Sequence, residues 1–119
     1  MRYVDGFLIA VPKRKLPLYK KIARAAGTIW KKHGAVEYVE SIGDDLDIKG
    51  VVSFKKSARA GKGDAVIFSF IVYKSRRHRD QVNKKVMADP RFARMMEPAQ
   101  AAFDPKRIAY SGFKVFVDR

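Results

Sequence analysis

Asp5 stands between Tyr3 and Phe7 in the apolar run that opens this sequence, on a strand face whose other members are all apolar. A carboxylate buried there without a partner is expensive, so it must find one. His78 is the leading candidate, with Arg76, Arg79 and Arg107 as rivals. A carboxylate that orients an imidazole tunes its pKa and makes a general base or a metal ligand, so Asp5 and His78 form the candidate catalytic pair. His33, Phe68, Phe70 and Tyr110 are the candidate ligand contacts. A structural reading competes at each position. Asp5 can be satisfied by backbone groups or an arginine, His78 can be a helix-start residue, and His33 can cap a helix C-terminus, where its charge suits the dipole. Phe68 and Phe70 equally suit a core or an interface, and a buried Tyr110 hydroxyl needs a partner in any case.

The other clusters carry weaker signatures. Two histidines and one aspartate lack the spacing of a metal site, and the absence of cysteine removes any thiolate ligand or nucleophile. Asp44, Asp45 and Asp47 lack the rest of a calcium-loop pattern and read as a solvated turn. The stretch AGKGD at 60–64 has neither the earlier glycine nor the Ser or Thr of a phosphate-binding loop, and reads as a hairpin tip. Neither a metal nor an organic cofactor is expected.

Asp5 and His78 can meet only if the chain brings the start of its first strand to the start of its second helix. Tyr3–Val11 reads as that strand, ended by Pro12. Leu16, Tyr19, Ile22, Ala23, Ala26, Ile29 and Trp30 keep the spacing of an amphipathic helix, with Pro17 suited to its first turn and Gly34 to its stop. Ala35–Ile42 is the second strand. The segment from Gly43 to Asp64 is long for a structureless connection, and VVSF within it predicts a short extra strand. Ala65–Tyr73 is the third strand. Ser75 caps a second helix that runs to about Asp89, with His78, Val82 and Val86 as its inner stripe. RFARMMEP adds a helical turn or two, and Ile108–Val117 is the last strand. The order βαββαβ predicts an α+β fold, a ferredoxin-like split βαβ sandwich in one domain spanning 1–119, with an antiparallel sheet and both helices on one face. His33, His78 and Asp5 then lie at the same end.

Such a sheet leaves one face bare, yet the stretch AVIFSFIVYK is apolar on both. Val66, Phe68, Phe70 and Val72 share one face; Ala65, Ile67, Ser69, Ile71 and Tyr73 share the other. An exposed apolar sheet of that size is a liability. The expectation is a homodimer in which two sheets pack face to face, a dimeric α/β barrel.

With 26 Lys and Arg against 12 Asp and Glu, the net charge of +14 would attract a small anionic ligand, nucleic acid or anionic lipid. The cations are spread over two helices and two loops, which equally suits a solvated surface. An RNA-recognition module has the same strand and helix count, but needs cations interleaved with aromatics on its third strand, and none lies between Ala65 and Tyr73. A small-molecule barrel is the leading reading, with nucleic-acid binding through the basic helices and a purely structural dimer as alternatives. The apolar run Phe7–Val11 is too short for a signal segment or a membrane span, so a cytoplasmic protein without membrane association is expected.

Four blocks carry a likeness to a known family: YVDGFLIAVPK at 3–13, WKKHGAVEYVESIGDD at 30–45, FSFIVYKSRRHRDQVNKKVMADPR at 68–91 and FDPKRIAYSGFKVFVD at 103–118. They resemble the bacterial domain-of-unknown-function family 1428, the YbaA-like proteins, over nearly the whole chain. Phe70 stands where the likeness leads one to expect Trp. The resemblance implies a place in the dimeric α/β-barrel superfamily and brings no established activity. Some monooxygenases of that superfamily use a cavity between sheet and helices, with a polar residue from the first strand and a histidine from the second helix. Asp5 and His78 are similar in placement.

Overall fold

Two long strands form the spine of the sheet in the computed structural model, which describes residues 1–119. β1 (Tyr3–Pro12) and β3 (Asp64–Tyr73) run antiparallel, with Tyr3 opposite Tyr73 and Pro12 opposite Asp64. β2 (Glu37–Ile42) joins the free edge of β3, and β4 (Ile108–Lys114) joins β1 with Tyr110 opposite Phe7. The order β2-β3-β1-β4 is the ferredoxin-like one that the sequence predicts. Tyr3, Asp5, Phe7, Ile9 and Val11 of β1 point to the helix side, beside Ala65, Ile67, Ser69, Ile71 and Tyr73 of β3.

α1 (Leu16–Lys32) has Pro17 in its first turn and ends on His33, and its buried stripe is Tyr19, Ile22, Ala23, Ala26 and Ile29. α3 (Arg76–Ala88) starts at Ser75, whose hydroxyl accepts from the His78 N–H at 3.0 Å. Asp89 then serves twice. It ends α3 and caps α4 (Pro90–Ala102), accepting from the Arg91 N–H at 2.9 Å, with Pro90 in the first turn. α4 is a full helix rather than the predicted turn or two. Pro98 removes one intrahelical donor, but Met95, Ala99, Ala102 and Phe103 continue the apolar stripe past it onto α1.

VVSF forms no strand. Val51 and Val52 are exposed, and Ser53 caps a single helical turn, α2 (Phe54–Ser57). This segment is a flap over the outer face of the sheet, where Leu46, Ala58 and Ala60 pack on Leu8, Ala10 and Val66, and the Phe54 ring lies 5.8 Å from Phe68. The rest of that face stays open, with Phe68 44% and Phe113 57% exposed. The molecule is therefore a slab of 38 × 36 × 20 Å. It exposes 8220 Å², against roughly 6500 Å² for a compact monomer of this mass. No helix is long and apolar enough to cross a membrane.

Candidate cavity between sheet and helices

A cavity of about 300 Å³ opens between the helix-facing side of the sheet and the helices α1, α3 and α4. Phe7, Trp30, Phe92, Met95 and Phe103 give it an aromatic and thioether wall. The Phe7 and Tyr110 rings stack at 4.8 Å and 11°, and Trp30 meets Phe92 edge-on at 5.8 Å. Two carboxylates, Asp5 and Glu40, reach the lining, and no lysine or arginine does. The positive charge that suggested an anionic ligand lies outside it.

Asp5 is 1% exposed and does not pair with His78. Its Oδ1 accepts from Arg79 Nη1 at 3.1 Å and its Oδ2 from the Tyr110 hydroxyl at 3.1 Å, and the same Arg79 nitrogen donates to the Tyr110 oxygen at 2.8 Å. Arg79 also lies over the Tyr3 ring, 5.0 Å from its centroid. Burial raises the Asp5 pKa, and Arg79 and Tyr110 oppose that rise without cancelling it. Burial, then Asp5, pushes the Tyr110 hydroxyl up as well. Burial works against the charge of Arg79, but Asp5, Tyr110 and Tyr3 together outweigh it and the guanidinium pKa is raised.

His78 falls outside the cavity. Its Nδ1 accepts from the Lys74 N–H at 3.0 Å, which leaves the ring proton on Nε2, and its ring stands edge-on to Tyr73 at 6.0 Å. Burial, with Lys74 and Lys85, lowers its pKa. A helix turns about 100° per residue, and the stripe that α3 lays on the sheet runs through Arg79, Val82, Asn83 and Val86 rather than through His78. His33 is also elsewhere. Its Nε2 lies 2.7 Å from Asp89 at the junction of α1 and α4, where Arg91 holds the same carboxylate at 2.6 Å. Those hydrogen bonds, from Arg91 first and His33 second, pull the Asp89 carboxyl well below its usual range.

Phe68 and Phe70 project onto the outer face, their rings 6.2 Å apart, and Phe70 borders the cavity only as part of the strand that floors it. Tyr110 is the one expected ligand contact whose side chain stands in the cavity beside Asp5.

The sequence reading passed over two further polar groups. The Asn83 carbonyl oxygen accepts from Trp30 Nε1 at 3.1 Å and from the Tyr73 hydroxyl at 3.3 Å. Glu40 accepts from Tyr19 and from Tyr38, each at 2.7 Å. Burial, reinforced by Glu40, raises both tyrosine pKa values. The alternation Tyr38, Glu40, Ile42 on β2 was the available signal, because it puts Glu40 on the helix side.

A four-stranded antiparallel sheet in this order, with helices on one face, defines the ferredoxin-like α+β fold. Solved structures of that shape cover nearly the whole chain. SnoaB, a cofactor-independent oxygenase from Streptomyces nogalater, superposes with a TM-score of 0.59 at 11% identity, over 98% of this chain and 95% of that one. An uncharacterized NIPSNAP domain protein from Burkholderia xenovorans gives 0.58 at 13% identity, over 96% and 94%. At these identities the likeness is one of fold. The chain itself belongs to the family described as Protein of unknown function (DUF1428), whose model matches residues 2–105. It is 38% identical over 118 residues to the uncharacterized protein YbaA of Escherichia coli K12, covering 99% of both chains, and equally to that of Shigella flexneri.

Proposed function

We propose that this protein binds a small, flat hydroxyaromatic molecule between its sheet and helices, with the hydroxyl placed against Asp5. The observation that carries this reading is the Asp5 carboxylate, enclosed at the end of an apolar, aromatic cavity and held above its ordinary pKa by burial. A carboxylate in that state is a ready acceptor for a ligand hydroxyl proton. Tyr110, beside it in the lining, and Arg79 behind it hold the carboxylate in position for that hydrogen bond. The cofactor-independent oxygenase on the same fold gives some support to chemistry in this layer. Because the lining holds two carboxylates and no cation, the part of the ligand inside is uncharged.

The same reading gives the open sheet face to a second copy of the chain. The exposed phenylalanines, the 20 Å slab and the excess of surface over a compact monomer all support a homodimer.

Fluorescence titration with 2-naphthol tests the cavity. The wild-type chain is expected to bind it, Asp5→Asn to weaken binding by about tenfold, the worth of one charged hydrogen bond, and His78→Ala to leave it unchanged. Equal affinity in the wild type and Asp5→Asn would overturn the assignment.

A further inference from the structure

Glu40 is gripped from both sides, by Tyr19 at one carboxylate oxygen and by Tyr38 at the other. The three side chains form a wall one residue thick. The aromatic cavity lies on its inner side. On its outer side, along the β2 edge of α1, is a second hollow of about 380 Å³ that shares Tyr19, Ala23, Tyr38 and Glu40 with the first. Lys20 and Arg24 line this outer hollow. They sit one helical turn apart on α1, which contains no acidic residue. Neither takes part in an ion pair. Two like charges at this spacing disfavour the helix, so helix stability gives no reason for them.

We infer that the cavity has a second, cationic mouth here, and that its ligand carries an anionic oxygen group at the end remote from the hydroxyl. The ring system lies inside and the anion lies outside, on Lys20 and Arg24. This rests on the cavity reading above and completes it, because it gives the basic surface a part in recognition that the acidic lining cannot play. Asp5 on β1 lies opposite Ile71 and Glu40 on β2 opposite Ser69, so the two are two strand spacings apart across β3 and two residues apart along it, roughly 12 Å. That span suits two fused rings with substituents at opposite ends. The wall between the two hollows is the point of passage. Tyr38 turns its ring against Gly27, where a β-carbon would come within 3.0 Å of it, so the ring rests directly on the α1 backbone. Passage requires the two tyrosine hydroxyls to exchange Glu40 for the ligand.

The test compares 2-naphthol with 6-hydroxy-2-naphthoate, on the full-length wild type and on the Lys20→Ala/Arg24→Ala double variant. Both substitutions lie on the solvent side of α1 and replace helix residues with alanine, so the fold is kept. The wild type is expected to bind the carboxylate compound about tenfold more tightly, as charge-assisted hydrogen bonds to an anion allow. That preference should shrink as salt rises and vanish in the double variant, while the 2-naphthol affinity moves by less than about twofold. Equal affinity of the wild type for both compounds, or a preference kept by the double variant, overturns the second mouth and leaves the cavity reading standing. Failure of 2-naphthol itself to bind removes the cavity reading, and the second mouth with it.

Discussion

The two faces of the sheet are built from the same kinds of residue and meet different fates. On the helix side, Tyr3, Asp5, Phe7 and Ile9 of β1 face a layer supplied by the chain itself, and one of them is a charged group with two partners. On the outer side, Leu8 and Ala10 meet the flap around α2, which covers one end, while Val4 and Gly6 lie beyond it and Phe68 and Phe113 stay exposed. A face that the chain closes over a cavity carries a few fixed polar groups that orient what enters. The outer face, which we propose meets a second copy, has no buried charge at its centre, as the core of a protein interface does not. Asp5 is what tells the two apart.

The sharpest way to break that contrast is to put a carboxylate on the outer face. Phe113→Asp lies in a 57% exposed position, so the isolated chain should fold as before. In a face-to-face dimer the same change buries an unpaired charge from each copy, at a penalty of several kcal/mol. Light scattering at micromolar concentration is expected to report a dimer for the wild type and a monomer for Phe113→Asp. A wild type that is already monomeric would leave the outer face without a purpose and end the comparison.

On the inner face the decisive pair is Asp5 and Arg79. Arg79→Met removes the counter-charge from a carboxylate that is 1% exposed, and is expected to cost about 3 kcal/mol at pH 7.5. The pH dependence has a definite sign. Because burial raises the Asp5 pKa in the folded state, the stability tied to its protonated form is fully present below about pH 4, the unfolded value, and is lost as pH rises through the folded one. The deficit of Arg79→Met should therefore shrink on going from pH 7.5 to pH 4.5 in urea denaturation. A deficit independent of pH would mean that Arg79 acts by packing alone. Asp89 has the opposite sign. Its pKa is lowered, chiefly by Arg91 and then by His33, so its contribution is present above about pH 4 and is lost as pH falls.

Much of this was legible beforehand, for identifiable reasons. Short apolar runs, one ended by Pro12 and the other followed by the cap residue Ser75, placed β1 and β3, and the three-or-four spacing placed α1, because burial of one helix face forces that period. The two apolar faces of β3 led to the expectation of a covered sheet, and within the single chain the outer face is covered only at the flap end. The choice between His78 and Arg79 was not legible, because neighbouring helix residues differ by about 100° and a cap does not fix rotation to that precision. Arg79 was present in the sequence reading only as a rival partner for Asp5. Glu40 was legible only through the alternation Tyr38, Glu40, Ile42, and a glutamate on an edge strand reads as solvated until the two tyrosines that bind it are seen together. α4 was cut short at Pro98, where tertiary packing overrode a local break.

The mildest probe uses two glycines, one on each face of the edge pair. A β-carbon at Gly112 would run into the phenol of Tyr3, which is 7% exposed and cannot move aside, so Gly112→Ala is expected to cost about 2 kcal/mol by overpacking. A β-carbon at Gly6 would come within 3.3 Å of the Phe113 ring, which is free to give way in the isolated chain. Gly6→Ala is therefore expected to change the stability of a chain kept monomeric by Phe68→Asp, at another exposed position of the outer face that leaves Phe113 in place, by less than about 1 kcal/mol. In the wild-type background a second copy would clamp Phe113 in place, and the same substitution should raise the dimer dissociation constant severalfold. Equal small effects in both backgrounds would mean that Phe113 is as free in the assembled protein as in the single chain, and that the outer face is not where two copies meet.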